Sequence, residues 1–209
     1  MTQDNEQMTS ASLSAKSNDS LSSVNSKAEE NLAFIRSAME GASAFTSISG
    51  KGLVFTGLVG LFAAWLELTS NQSPSLMIWL SALVVAVIGS VALTMRKAQL
   101  QGTTLWSASG RKLTYAFTPT MVVGGIVTYF MASADLTEML PGFWLALYGA
   151  AVMTAGAHSI GMIKLVGAVF ILLAVFAFAA PAYSLMALAL GFGGVHLSAG
   201  YLVWKYYGG

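Results

Sequence analysis

Between residues 51 and 204 the chain passes through six apolar stretches, at about 51–68, 74–95, 113–133, 141–157, 161–180 and 182–204. Each is close to the roughly 20 residues that a helix needs to cross the ~30 Å hydrocarbon core of a bilayer. Charged residues make up 9% of the 209 positions, against about 25% in a soluble domain, so lipid is the solvent for most of this chain. The reading is all-α: a polytopic membrane protein with six transmembrane helices, arranged as three hairpins within residues 49–209.

Before the first span the character changes twice. Residues 1–27 are rich in Ser, Asn, Gln and Asp and hold too little apolar area to offset the entropy of ordering, which reads as a disordered cytoplasmic tail. Over 28–48 the pattern turns helical. Leu32, Ile35, Met39 and Ala42 share one side while Glu29, Arg36 and Glu40 share the other. That suits a cytoplasmic amphipathic helix lying on the membrane interface, with a partner-docking helix as the alternative. The start, MTQDNEQMTS, lacks the basic and apolar regions of a signal peptide.

Orientation follows from the basic residues. All ten, Lys16, Lys27, Arg36, Lys51, Arg96, Lys97, Arg111, Lys112, Lys164 and Lys205, fall on one side of a six-span chain, while Glu67, Asp135 and Glu138 fall on the other. The positive-inside rule then places both termini in the cytoplasm and the protein in a cytoplasmic (inner) membrane. Arg96-Lys97 and Arg111-Lys112 read as sites for anionic lipid headgroups. Trp65, Trp79, Trp144, Trp204, Tyr206 and Tyr207 lie near the expected boundaries and read as interfacial belts.

Punctuation divides the apolar stretches. Pro74, Pro141 and Pro181 each open an even-numbered span, where a missing N–H costs nothing. The triplet Gly57, Pro74, Gly89 recurs at the same spacing as Gly124, Pro141, Gly156, which suggests parallel repeated hairpins. In lipid, glycines of this kind let backbones approach closely, and Gly57, Gly60, Gly124, Gly149, Gly156, Gly193 and Gly200 are the expected packing positions.

Ionisable groups inside the spans are the default functional candidates, and there are few. His196 shares a small-residue stripe with Ala189, Gly193 and Gly200 when α-helical spacing is assumed. A packing histidine bonded to a Ser, Thr or carbonyl of a neighbouring helix is the plain reading; a proton-responsive group or a haem or metal ligand is the alternative. His158 closes the fourth span at the cytoplasmic turn and reads as a solvated interfacial residue. Glu67 continues the stripe Gly57, Gly60, Ala64 and reads as a wetted boundary carboxylate. Thr118, Thr128, Thr154 and Ser198 are expected to add hydrogen bonds between helices.

The hairpin from Met162 to Trp204 resembles the short membrane repeat of the HdeD-like acid-resistance proteins of bacteria, through Gly167, Pro181, Gly191, Gly193, Gly194, Gly200 and Lys205. The stretches FIRSAMEGASAFTSISGKG (34–52), Gly110-Arg111-Lys112, LPGFWLALYGAAVMTAGAHS (140–159) and GFGGVHLSAG (191–200) resemble an uncharacterised family of bacterial six-span proteins. That resemblance implies the six-span architecture and no established activity. The chain departs from it at Ser49, where proline is expected in the turn before the first span.

The chain contains no cysteine, which excludes disulfides, thiolate metal sites and a cysteine nucleophile. It shows no nucleophile elbow, Walker loop, zincin helix or dinucleotide fingerprint. No catalytic residue, metal or cofactor is therefore assigned. The expected function is non-enzymatic: a membrane scaffold, stress-response or accessory subunit acting by helix packing. A small transporter or channel comes second, and a haem- or metal-binding membrane protein third. The expected partners are the lipid bilayer and either a second copy of the chain or another membrane protein, not nucleic acid.

Overall fold

The computed structural model describes residues 25–36, 38–39, 48–70, 76–102, 104 and 106–207. The expected tail (1–27) lies outside them except for residues 25–27, as do Pro74 and the last part of the expected interfacial helix. Residues 25–36 and 38–39 are helical (α1) and belong to a unit of their own, Met1–Ser43. The second unit holds six helices long and apolar enough to cross a membrane: α2 (Gly50–Thr69), α3 (Leu76–Leu100), α4 (Ala108–Ser133), α5 (Thr137–His158), α6 (Gly161–Ala179) and α7 (Pro181–Tyr207). No strand occurs among the described residues. Helices are the outcome that lipid imposes on single apolar segments, because only they satisfy every backbone group without outside partners.

Hydroxyls inside the helices obey the same constraint. Thr56, Thr114, Thr154 and Ser198 each donate to the carbonyl four residues earlier, at 2.8–3.1 Å. Thr154 and Ser198 thus bond to their own helices, and the expected bonds to neighbouring helices are not the ones they make. Each polar group is instead neutralised at home, where helix geometry puts an acceptor in reach.

Ser49 explains the start of α2. Its Oγ accepts the Gly52 N–H at 3.1 Å, an N-cap that proline has no side-chain oxygen to supply. Ser107 caps α4 in the same way through the Gly110 N–H at 3.2 Å. Pro141 sits in the first turn of the α-helical part of α5 and Pro181 in the 3-10 turn that opens α7. Pro119 lies in the interior of α4, where the Tyr115 carbonyl loses its usual donor. Asp135 takes a left-handed conformation (φ 57°) in the turn between α4 and α5, one of the few residue types that does so readily.

Glycine contacts show which helices pack most closely. A Cβ added at Gly149 would lie 2.8 Å from the Gly167 carbonyl, and one at Gly167 would lie 2.6 Å from the Gly149 carbonyl, so α5 and α6 cross backbone to backbone. A Cβ added at Gly57 or Gly60 of α2 would lie 2.8 Å from the Leu197 nitrogen or 2.6 Å from the Phe192 carbonyl oxygen of α7, and one at Gly200 of α7 would lie 2.6 Å from the Val54 nitrogen. Without a hydrophobic driving force between helices in lipid, such close van der Waals approach is what holds them. First and last spans are therefore seamed together. Glycines at matching repeat spacing meet different partners: Gly57 faces α7 but Gly124 faces Trp144 of α5, while Gly89 faces Phe55 of α2 and Gly156 faces Lys164 of α6.

At the basic end of the bundle, Lys97 turns inward. It is 4% exposed, and its Nζ donates to the Ile48 and Tyr207 carbonyls, each at 2.9 Å. One ammonium thus ties the end of α3 to the residue before the α2 N-cap and to the end of α7, and at the latter unsatisfied helix carbonyls favour a cation. Its surroundings are protein, so the headgroup reading does not describe it.

Candidate functional site

The site begins with an irregularity in α7. Residues Ala189–Val195 (ALGFGGV) form a π-helical stretch between the α-helical segments Ser184–Leu188 and His196–Tyr207. A π turn relates residue i to i+5, so it carries the following residues to a different face from the one α-helical spacing gives. The stripe expected for Ala189, Gly193, His196 and Gly200 is corrected by this. Gly193 and Gly200 pack on Leu61 and Val54 of α2, whereas His196 points at α5 and α6.

His196 is 2% exposed and both ring nitrogens are engaged. Nδ1 lies 3.3 Å from the Gly191 carbonyl, five residues earlier, and Nε2 lies 2.7 Å from the Tyr148 hydroxyl. A carbonyl only accepts, so Nδ1 carries the proton and Nε2 accepts from Tyr148. The pair fits a neutral imidazole held in one tautomer by its own helix and read by a tyrosine on another.

Four rings close around this bond. Tyr148 (α5), Phe170 (α6), Phe192 and His196 (α7) make all six pairwise ring contacts, with centroids 4.8–6.0 Å apart. Phe192 stacks on His196 at an interplanar angle of 13°, and the other five pairs are tilted or edge-on. These are the arrangements that aromatic quadrupoles favour. Phe117 of α4 adds an edge contact to Tyr148 at 5.8 Å, and Trp79 of α3 a tilted one to Phe192 at 6.4 Å. The Trp79 indole N–H in turn donates to the Glu67 carboxylate of α2. Each of the six spans contributes to the connected set.

Glu67 is thus half-buried and partnered inside the bundle rather than only wetted at its boundary. Trp79 and Trp144 are likewise not simply belt residues. The Trp144 N–H donates to Thr128 Oγ at 3.0 Å, and that hydroxyl donates to the Gly124 carbonyl at 2.7 Å, joining α5 to α4. Trp65 and Trp204 are exposed on the outside of the helices. His158 is half-buried in the 3-10 turn Gly156–His158. Among the described residues no three His, Cys, Asp or Glu side chains converge as a metal site would require. Tyr148 is the member that sequence reasoning missed. The signal was a tyrosine in the middle of an apolar span, where no interfacial role accounts for its hydroxyl.

Between α3 and α4 lies a groove of about 900 Å³, bounded behind by α2, α5 and the start of α7. Tyr148 and Phe192 form part of its wall, and among the described residues Glu67 and Glu138 are the only charged ones lining it. Compared with known proteins, the chain matches no family model, no curated protein and no solved structure.

Proposed function

We propose that this chain is a non-enzymatic integral membrane protein of a bacterial inner membrane, working as a scaffold or accessory subunit through its packed helices. The observation that carries this reading is the Tyr148–His196–Gly191 chain of hydrogen bonds. Its donors and acceptors engage one another and a ring cluster surrounds them, so the buried His196 imidazole serves cohesion. Both termini are cytoplasmic on the positive-inside rule, which leaves the acidic end facing the periplasm. Purification from native membranes in mild detergent tests the role. A partner or second copy retained at fixed stoichiometry is the expected result, and a chain that runs alone under every mild condition contradicts it.

A small transporter is the second reading, favoured by the groove, whose size falls within the range of small-molecule sites. Substrate-dependent flux in proteoliposomes would move the assignment there.

A further inference from the structure

The groove between α3 and α4 has a polarity gradient. Its acidic end holds Glu67 and Glu138, with Ser70, Thr137 and Ser184 nearby in sequence or space along the same rim. From Leu76 to Val91 the α3 wall is apolar apart from Ser90 and the Trp79 N–H, and that N–H is already given to Glu67. Fifteen rises of about 1.5 Å from Leu76 to Val91 make this wall about 22 Å long, more than the ~15 Å of one leaflet's share of the hydrocarbon core. The groove opens sideways, because α3 and α4 both line it yet scarcely touch each other. Within α3 only Lys97 and Ala98, at the far end, are buried.

We propose that this groove binds a cationic amphiphile: an alkylammonium head at Glu67 and Glu138, and an aliphatic tail laid along α3 toward Tyr148 and Phe192. Charge complementarity selects this occupant. Among the described residues two carboxyls and no basic group line the groove, so a phosphate- or sulfate-bearing head meets repulsion without a partner, and a neutral alcohol gains no ion pair. The lateral mouth lets the ligand enter from the bilayer, where such molecules partition.

Tryptophan quenching in nanodiscs of zwitterionic lipid tests it with the full chain. Trp79 and Trp144 line the groove, whereas Trp65, Trp106 and Trp204 are exposed, so a variant with the last three changed to Phe reports on the groove. The probes are three chain-brominated amphiphiles of equal length: an alkyltrimethylammonium, an alkyl alcohol and an alkyl sulfate. The ammonium should quench saturably, with a midpoint about tenfold below the alcohol's, and the sulfate should not saturate. Glu138→Gln and Glu67→Gln should each move the ammonium midpoint toward that of the alcohol, and Ala86→Phe should remove the saturable component by filling the groove. Glu138 bonds to no groove tryptophan, so its variant decides the matter if Glu67→Gln disturbs Trp79. Equal quenching by all three probes in proportion to their membrane content overturns the proposal, as does a preference for the sulfate.

Discussion

The Tyr148 hydroxyl donates to Nε2 of His196 across 2.7 Å, joining the fifth and seventh helices at the centre of a four-ring cluster. The bond depends on backbone geometry some distance along the chain. The π turn over Ala189–Val195 aims His196 at α5, and the Gly191 carbonyl fixes the tautomer that leaves Nε2 free to accept.

Close backbone contact between α2 and α7 makes Gly57 intolerant of any side chain. Gly57→Val should lower stability by about 1–3 kcal/mol, because the added atoms meet the backbone of Leu197 and Gly193 as well as the Leu197 side chain, and the backbone cannot move aside cheaply. Gly125→Val should cost far less, since nothing lies within 4 Å of a Cβ there. Unfolding of both variants in mixed micelles checks the contrast.

Lys97 and Arg96 are adjacent and equally charged, but only Lys97 is buried. Lys97→Met should cost about 1–3 kcal/mol by leaving the Ile48 and Tyr207 carbonyls short of a donor. Arg96→Met should be nearly neutral. Each change removes one basic residue from the same end of α3, so a difference in thermal stability reports the hydrogen bonds and not the topogenic charge.

Topology is open to direct labelling, because the native sequence has no cysteine. A cysteine at Leu136 should react with an impermeant thiol reagent in intact cells, and one at Thr104 should react only after the membrane is opened. The reverse pattern would invert the orientation.

The six spans were legible in the sequence because lipid leaves its mark on long uninterrupted apolar runs, whatever the helices later do. Which helices touch was less so. The small residues of α2 and α7 announced packing, but not that the first and last spans would be each other's partners. His196 was legible as a buried polar group needing a partner, while its direction was not, since α-helical spacing carries no sign of a π turn. Trp79 and Trp144 show a related limit: position along a span tells depth, not whether an indole faces lipid or protein. Lys97 carries the same charge signal as Arg96, and only tertiary contacts separate an anchoring ammonium from a topological one.

The bond between Tyr148 and His196 is the centre of this account, and a double-mutant cycle measures it. Tyr148→Phe, His196→Leu and the double variant should be compared by reversible unfolding in mixed micelles. Hydrogen bonds between membrane helices are worth about 0.6 kcal/mol on average and up to about 1.7 kcal/mol. A coupling energy of roughly 1 kcal/mol or more is expected here, because each single change leaves a buried group without its partner. His196→Gln should retain most of the stability, since the amide can replace one hydrogen bond. Strictly additive losses, or a His196→Leu variant as stable as the native chain, would contradict the claim that this bond holds the bundle together.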